Sequence, residues 1–256
     1  MMLTVNLNDF KEAVEAIWLR GKYKSSTVSK VDVISNTAVA IFHRNQIQLL
    51  NGNDTCAVSV NIGYESTDSI ENEQMFIFDI EKIMKYIKNL KTDVIEIQIK
   101  DAHYNLITDE TRVKLPKLLE HSNMGLISRI REFKIESNKP TTFGKTELKC
   151  LLRFQGADLA KAIKYCNLVG TAAFKIDYHS GKETFTVSSS NTQQTELVDR
   201  KVELLTASDN DLTVEFSAPI DKFCIDGPMF IFSDDDKPII LIGTDRKMVI
   251  APYIRG

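Results

Sequence analysis

The sequence has few of the residues from which most catalytic and metal centres are built. Its 256 residues include four cysteines and four histidines, and none of them stands at the spacing of a metal-binding pair. We expect buried free thiols, because each cysteine lies in an apolar stretch: Cys56, Cys150, Cys166 and Cys224. Nothing matches the dinucleotide-binding glycine fingerprint, the nucleophile elbow or the zinc-protease helix. The sequence therefore predicts no catalytic residues, no metal site and no cofactor.

Long hydrophobic runs are also missing. No stretch approaches the roughly 18 apolar residues of a membrane-spanning helix, and the N-terminal residues do not form the apolar core of a signal peptide. These absences predict a soluble intracellular protein that does not bind membranes.

An excess of basic residues is the third absence. The chain has 32 lysines and arginines against 35 aspartates and glutamates, which gives a net charge of −3. A domain that binds nucleic acid through its overall charge is usually basic. Any contact with a polyanion must therefore depend on positive charge gathered on one surface. The hydrophobic fraction of 43% is ample for a core, and the length fits one large domain or two of about 130 residues.

Two lysine-rich amphipathic segments are present, one in each half of the chain. The first is DIEKIMKYIKNLK, residues 79–91, and the second is GADLAKAIKYCN, residues 156–167. In both, apolar residues recur at helical spacing while the lysines occupy the other side. The sequence thus predicts two short helices, each with one buried face and one basic face.

The remaining periodicity predicts mostly β-strands, in the same order in both halves. A first helix is expected over residues 7–19, with Asn8 or Asp9 as its cap. Short runs rich in valine and isoleucine, separated by turn residues, predict strands after it. The second half repeats this order and adds a short helix over residues 218–224.

Between the halves, the segment from residue 116 to residue 145 loses the strand rhythm. It mixes glycine, asparagine and proline with a few aliphatic residues, a composition typical of a connection that carries function. The predicted organisation is therefore an N-terminal domain (1–116), a connector (117–146) and a C-terminal domain (147–256).

This order of elements resembles that of DNA sliding clamps. Two stretches carry the resemblance: MFIFDIEKIMKYIKNLKTDVIEIQI at residues 75–99, and KPI at residues 237–239 followed by VIAP at 249–252. The chain is most similar to clamps of the proliferating-cell nuclear antigen (PCNA) type and is also similar to T4-like phage clamps. The resemblance covers nearly the whole sequence.

The resemblance implies an α+β clamp fold that forms rings. Each subunit would have two similar domains, with β-sheets outside and two short helices per domain lining the inner face. Three identical subunits would close head to tail, with residues 105–114 of one subunit pairing with residues 184–190 of the next. Heterologous contacts of this kind close into a ring when the rotation between subunits permits.

The resemblance also implies a function without catalysis. The protein would be a processivity factor in DNA replication and repair that encircles duplex DNA, tethers a DNA polymerase and other clamp-binding proteins, and is opened by a clamp loader ATPase. It would act in the cytoplasm of a prokaryote, in the replication compartment of a virus-infected cell, or in a eukaryotic nucleus.

Two sets of site residues follow from the resemblance. Basic side chains that meet the phosphate backbone would lie on the inner helices: Lys11, Lys82, Lys85, Lys88, Lys161, Lys164 and Lys222, with Arg20 and Arg153 as further candidates. Such contacts carry no sequence information. A pocket for partner peptides would be lined by Phe42, Ile47, Leu126, Ile127, Pro238, Ala251, Pro252 and Tyr253. The connector departs from the usual clamp pattern in its basic Arg129-Ile130-Arg131 stretch.

Other functions are compatible with the same residues. The chain could be one subunit of a heterotrimeric clamp, or a checkpoint or viral transcription relative of clamps. It could be a β-rich interaction protein that never touches DNA, in which case neutralising Lys82, Lys85 and Lys88 together would leave function intact. An enzyme without a recognisable motif is a further alternative.

Overall fold

The computed structural model of the chain describes residues 1–19, 36–66, 72–121, 124–132, 141–169, 173–190 and 197–253. These residues divide into two compact units. The first unit holds the described residues up to 127, except 54–57, which belong with the residues from 128 onward to the second unit. The predicted α+β fold is confirmed, since strands predominate and the helices are short.

The first unit is built on antiparallel strands. One of them, β4, begins in the second unit, and its residues from 58 onward belong to the first unit. The strands are β1 (Met2–Asn6), β2 (Thr37–His43), β3 (Gln46–Gly52), β4 (Cys56–Gly63), β5 (Glu65–Ser66), β6 (Gln74–Asp79), β7 (Val94–Ile99), β8 (His103–Ile107) and β9 (Arg112–Pro116). One five-stranded sheet has the order β5-β1-β7-β8-β9, and a second group has the order β4-β3-β2-β6.

Alternation of apolar and polar residues explains which face of each strand is buried. In β1, Leu3 and Val5 are buried and stand opposite Ile97 and Ile95 of β7. Aromatic rings then fill the space between the sheets. The ring of Phe76 lies 4.8 Å from that of Tyr104, centroid to centroid.

Two helices pack side by side in the first unit: α1 (Leu7–Ala16) and α2 (Ile80–Ile87). The predicted cap of α1 was two or three residues too late. Asn6, not Asn8 or Asp9, caps the helix, because its side-chain oxygen accepts the backbone N–H groups of both those residues at 2.9 and 3.1 Å. Asp79 caps α2 in the same way by accepting from the N–H of Lys82 at 2.9 Å.

A further helix, α3 (Met124–Glu132), lies inside the predicted connector. No helix was predicted in this segment. Ile127 and Ile130 are buried, and their spacing of three places both on one side of a helix.

The second unit has its own antiparallel strands. They are β10 (Thr141–Phe143), β11 (Thr146–Leu148), β12 (Cys150–Gln155), β13 (Phe174–Tyr178), β14 (Thr184–Ser189), β15 (Asp199–Ala207), β16 (Leu212–Phe216), β17 (Pro228–Ser233), β18 (Ile239–Ile242) and β19 (Arg246–Ile250). β10 and β11 form a hairpin of their own, and the other strands have the order β16-β13-β14-β15-β12-β17-β18-β19.

The helices of the second unit are α4 (Gly156–Cys166) and two single turns of 3₁₀ helix, Asn167–Val169 and Ile220–Lys222. The helix predicted over residues 218–224 is therefore only one 3₁₀ turn. Gly156 starts α4 where a larger residue has no room, since an added Cβ would lie 2.4 Å from the carbonyl oxygen of Ile225. Of the helices in the described ranges, none is long and apolar enough to cross a membrane.

Strand β15 changes partners along its length. Residues 199–203 pair with β14, whereas residues 204–207 pair with β12. This corrects the expected subunit joint at residues 184–190, because β14 is hydrogen-bonded to β13 on one side and to β15 on the other and has no edge to offer a neighbouring subunit.

Candidate nucleic-acid and partner surfaces

Helix α2 and its C-terminal cap residue present three exposed lysines, of which Lys88 is the cap. Lys82 forms an ion pair with Asp79 at 3.5 Å. Lys88 reaches Glu15 of α1 at 4.0 Å and lies over the ring of Trp18 at 5.7 Å. Lys85 lies 5.8 Å from the ring centroid of Tyr86. Their apolar neighbours Ile80, Ile83, Met84 and Ile87 are buried, so the helix has the predicted division into an apolar and a basic face.

Helix α1 has a different surface. Lys11 is half-buried, whereas Asp9 and Glu12 are exposed. The exposed side of α1 is therefore acidic, and Lys11 is its only lysine. Lys11, the lysine predicted on this helix, therefore lies beside exposed carboxylates.

Helix α4 carries two lysines in the second unit. Lys161 and Lys164 are both exposed. Lys161 forms an ion pair with Asp158 at 3.5 Å, and Lys164 has no ion pair with the described residues. Lys222 is exposed on the 3₁₀ turn.

The ion pairs of these lysines are weak enough to exchange. Lys82, Lys88 and Lys161 have side chains that are 54%, 49% and 70% exposed, and pairs at such sites contribute about 0–1 kcal/mol. A phosphate group that approaches can therefore replace the carboxylate at little cost. The ion pairs hold the ammonium groups near the helix surface, and these groups can still bind a phosphate.

Of the two arginines predicted as further DNA contacts, one lies in the described part of the chain. Arg20 lies outside the described residues. Arg153 is half-buried in β12, between the fully buried Leu152 and Phe154, so it lies on the opposite face of the strand from both. Its guanidinium lies over the ring of Phe230 at 5.6 Å.

Two residues of the predicted peptide pocket are buried in the core of the first unit. Phe42 and Ile47 are each 1% exposed. Their side chains line a core cavity of only about 10 Å³, together with residues such as Phe10 and Tyr104. They are paired across β2 and β3, and a peptide could reach them only if that core unpacked. We therefore withdraw both from the list of residues that would contact a partner.

The other predicted pocket residues are closer to the surface, with one exception. Ile127 of α3 is buried, and Leu126 beside it is half-buried. In the second unit, Pro238 is half-buried and Ala251 is exposed. Tyr253 is 50% exposed.

Backbone contacts hold the segment after β19 in place. Pro252 forms an isolated β-bridge with Phe216, and the backbone N–H of Tyr253 donates to the carbonyl of Glu215 at 2.7 Å. This segment therefore presents exposed apolar surface on a fixed backbone.

The C-terminal turn of α3 is tied to β19. The ammonium group of Lys247 donates to the carbonyl of Arg131 at 3.0 Å, and burial lowers the pKa of Lys247 to about 8. Arg129 and Arg131 are exposed. Both arginines stand out in the sequence as a basic stretch, whereas no local pattern marks the lysine that holds their helix.

Several strands in the described residues have an edge without a partner strand, and two of these edges belong to the strands that matter for subunit pairing. In the first unit one such edge is that of β9, the last strand of its sheet. The N–H of Thr108 donates to the carbonyl of Thr111. Because hydrogen-bonded and non-hydrogen-bonded pairs alternate along antiparallel strands, the backbone groups of Arg112 and Lys114 point away from β8.

In the second unit, one open edge is that of residues 199–203, the first half of β15. The N–H of Leu204 donates to the carbonyl of Glu183. Hydrogen-bonded pairs alternate with non-hydrogen-bonded pairs along β14 and β15, so the backbone N–H and C=O groups of Asp199, Lys201 and Glu203 point away from β14.

Exposed apolar side chains belong to the elements around that edge. They are Tyr165 and Leu168 at the end of α4 and just after it, with Leu197 and Leu205 at and beside β15. Leu168 is 77% exposed and Leu197 is 67% exposed. The guanidinium of Arg200 lies over the ring of Tyr165 at 3.9 Å, which links α4 to the strand.

The described residues contain no group of three or more histidine, cysteine, aspartate or glutamate side chains that could hold a metal ion. Burial raises the pKa of Cys150 and of Cys166 to about 11, and that of Cys224 to about 12. Thiols of this kind are poor nucleophiles at neutral pH.

Comparison with solved structures identifies the fold. The PCNA of A. fulgidus, solved with the C-terminal region of FEN-1 bound, matches with a TM-score of 0.69 at 16% sequence identity, over 100% of both chains. The DNA polymerase III beta subunit of Thermotoga maritima matches with a TM-score of 0.66 at 13% identity, over 100% of this chain and 66% of that one. The DNA polymerase sliding clamp of Bacillus subtilis gives 0.73 at 10% identity, over 100% and 65%.

The match therefore extends over the whole A. fulgidus chain, but over just under two thirds of the T. maritima and B. subtilis chains. No protein-family model and no curated protein sequence matches this chain. The resemblance predicted from the sequence is confirmed at the level of the fold, which is that of DNA sliding clamps.

Proposed function

We propose that this protein is a DNA sliding clamp, a processivity factor without catalytic activity that encircles duplex DNA and tethers replication and repair enzymes. The observation that carries the proposal is the clamp fold over the full length of the chain, combined with exposed lysines on α2 and α4. A protein that slides needs attraction to phosphates without recognition of bases.

The seven lysines named from the sequence serve as the proposed DNA contacts, with unequal roles. Lys82, Lys85 and Lys88 form the main contact in the first unit, and Lys161 and Lys164 form it in the second. Lys222 adds a single charge. Lys11 contributes least, because it is half-buried on a helix whose exposed side is acidic.

Three copies of the chain close into a homotrimeric ring in this proposal. The joint is β9 of one subunit against residues 199–203 of β15 in the next, because each of these edges has unpaired backbone groups in the described structure. Pairing there would also cover the apolar surface of Tyr165, Leu168 and Leu197. An open edge flanked by exposed apolar residues is a liability in a monomer, and ring closure would remove it.

Partner proteins are proposed to dock a short peptide with hydrophobic and aromatic anchors. In the second unit, the supporting surface is Pro238 with the exposed segment Ala251, Pro252 and Tyr253. Leu126 remains a candidate in the first unit. Ile127 is buried and would act through packing rather than contact.

The wider biology follows from this role. A DNA polymerase and other clamp-binding proteins would be the partners, and a clamp loader ATPase would open the ring around DNA inside the cell. We keep 1–116, 117–146 and 147–256 as the proposed domain boundaries. The change from the first compact unit to the second, between residues 127 and 128, falls inside that connector.

Light scattering coupled to size exclusion tests the proposed ring. The protein should form a species near three times 29.0 kDa. Lys201→Pro should reduce it to a monomer, because it removes an N–H group that points away from β14. Arg200→Pro is the matched control, since the N–H of Arg200 points towards β14 and its loss should destabilise the subunit itself. A wild-type monomer at every concentration would contradict self-closure and favour a subunit of a heteromeric clamp.

A further inference from the structure

A pocket of about 240 Å³ opens on the five-stranded sheet of the first unit. Across β1, β7 and β8, Thr4 stands opposite Glu96, and Glu96 stands opposite Ile107. Their strand neighbours, among them Leu3 and Ile97, are buried in the core, so these three side chains lie on the other face of the sheet. They form the floor of this pocket, which we call the sheet pocket.

Two short segments form the walls of the sheet pocket, and hydrogen bonds hold both. Before β7, the hydroxyl of Thr92 donates to the carbonyl of Val94 at 3.0 Å. In the turn after β8, the N–H of Thr108 donates to the carbonyl of Thr111 at 2.8 Å, and the N–H of Thr111 donates to the hydroxyl of Thr108 at 3.1 Å. Asp109 lies in this turn and completes the lining. The walls are therefore formed by the subunit itself.

The lining combines apolar surface with negative charge. Val94 is 51% exposed and Ile107 is half-buried. Glu96 is half-buried and Asp109 is exposed, and neither carboxylate has an ion pair or hydrogen bond with a described residue. Arg112, which stands opposite Ile107 on β9, is exposed and does not line the pocket. The two negative charges are thus not neutralised within the described part of the chain.

One long basic side chain fits this size and this chemistry. Pockets for drug-sized ligands begin at about 300 Å³, so the sheet pocket is small for a cofactor. Lysine and arginine lay an apolar stem along apolar surface and carry a cation at its end. Here the stem would lie against Val94 and Ile107, and the cation would meet Glu96 and Asp109. The same carboxylates would repel a phosphate, which argues against a nucleic-acid backbone as the ligand.

We propose that the sheet pocket is a docking site for a lysine or arginine side chain presented by a partner protein. Its residues are separate from the proposed DNA contacts and from the proposed peptide surface, and it would bind such a side chain whether or not the protein encircles DNA. Opposite charges across an interface fix the register of the partners and reject partners of the wrong charge. A protein with an acidic residue at that position would therefore be excluded.

Three peptides of glycine and serine test the pocket on the full-length protein. Each has one central residue: arginine, citrulline, which has nearly the same shape without the charge, or norleucine, which has only an apolar stem. The methyl NMR signals of Val94 and Ile107 report binding. A single anchor should bind with a Kd on the order of 1 mM. We expect the arginine peptide to bind about three- to tenfold tighter than the citrulline peptide, with a smaller difference at high salt.

A matched pair of variants on the same face of the sheet sharpens the test. Glu96→Gln removes the central carboxylate and should reduce the preference for arginine over citrulline to less than about twofold. The control is Glu65→Gln, which makes the same change at an exposed residue of β5 opposite Thr4 and outside the pocket. This control should leave the preference unchanged. Circular dichroism checks that both variants are folded.

Three outcomes would overturn the proposal. Equal binding of all three peptides, or no saturable shift with the arginine peptide, would show that the pocket does not select a cation. An equal loss of preference in Glu65→Gln and Glu96→Gln would assign the attraction to the charge of the whole face. If Glu96→Gln lowers the mass of the assembly in light scattering, the occupant is a basic side chain of a second copy and not of another protein.

Discussion

The two units of this protein repeat a fold but not a charge pattern. In the first unit, α1 follows the opening strand and exposes acidic residues, while the later helix α2 carries Lys82, Lys85 and Lys88. In the second unit, α4 follows β12 and carries Lys161 and Lys164, while the later helix is reduced to a 3₁₀ turn. The repeat of strands and helices thus depends on apolar spacing, whereas each unit places its cations independently.

The same helices also begin in different ways. Asn6 and Asp79 cap α1 and α2 with side-chain hydrogen bonds. Gln155, which precedes α4, makes no such bond, and Gly156 instead packs directly under Ile225 and Met229. The first unit therefore stabilises its helix starts with polar caps, and the second unit stabilises its helix start with close packing.

The largest effect should come from filling the space under α4. In Gly156→Ala the new methyl group would lie 2.4 Å from the carbonyl oxygen of Ile225 and 2.5 Å from the sulfur of Met229. Because the backbone must move, we expect the free energy of unfolding to fall by about 3 kcal/mol. Chemical denaturation measures this free energy. The control is Gly63→Ala, which has no atom within 4 Å of its added Cβ and should change the free energy of unfolding by less than about 0.5 kcal/mol.

The lysines of the two units should differ in how much they contribute to DNA binding. Each lysine that contacts a phosphate contributes about 0.9 to the slope of log affinity against log salt. Replacing Lys82, Lys85 and Lys88 with alanine should therefore reduce the slope by about 3 for each subunit whose helices meet the duplex. The pair Lys161→Ala and Lys164→Ala should reduce it by about 2 for each such subunit.

Anisotropy titrations of a short duplex at several salt concentrations measure these slopes. Lys11→Ala serves as the reference within the same proposal and should reduce the slope by less than about 1. Unchanged slopes in both multiple variants would mean that these helices do not meet DNA, and would favour an interaction protein.

The helix caps give a smaller contrast. Asp79→Ala removes the side-chain acceptor for the N–H of Lys82 and should cost about 1 kcal/mol of stability. Gln155→Asp offers α4 a cap that it lacks and should raise stability by about 0.5 kcal/mol. Thermal unfolding followed by circular dichroism measures both. A loss of stability in Gln155→Asp would show that packing at Gly156 leaves no room for a cap.

Much of this fold follows from the periodicity of the sequence. The alternating residues of β7 and the helical spacing of α2 are strong local signals, and α2 (Ile80–Ile87) lies within the predicted residues 79–91. The cap of α1 was misplaced because Asn6, Asn8 and Asp9 are all good caps, and only the end of β1 decides among them.

Other features depend on tertiary structure. Ile127 and Ile130 give α3 only two buried positions, too few to identify a helix among glycine and asparagine residues. Phe42 was assigned to a pocket by resemblance, but β2 turns it into the core. The open edge of β15 exists because only residues 204–207 of that strand pair with β12, while residues 199–203 pair with β14 alone. No local sequence pattern indicates such a change of partner.

The part of the candidate site that depends on residue type, its exposed lysines, could be predicted from the sequence. Exposed lysines opposite an apolar stripe can be predicted from helical spacing alone, and Lys82, Lys85 and Lys161 are exposed as that spacing requires. The acidic partners of those lysines, and the tie between Lys247 and α3, depend on distances that only the folded chain defines.

The central claim, that the protein encircles DNA, has a direct topological test. Lys114→Cys and Lys201→Cys place thiols on the two proposed edges, where a short bis-maleimide can close the ring in the presence of plasmid. The native thiols should react slowly, since three are buried and burial raises the pKa of Cys224 to about 12. We predict that closed rings stay on circular plasmid in high salt and leave when the plasmid is cut. Equal release from circular and linear DNA would contradict encirclement.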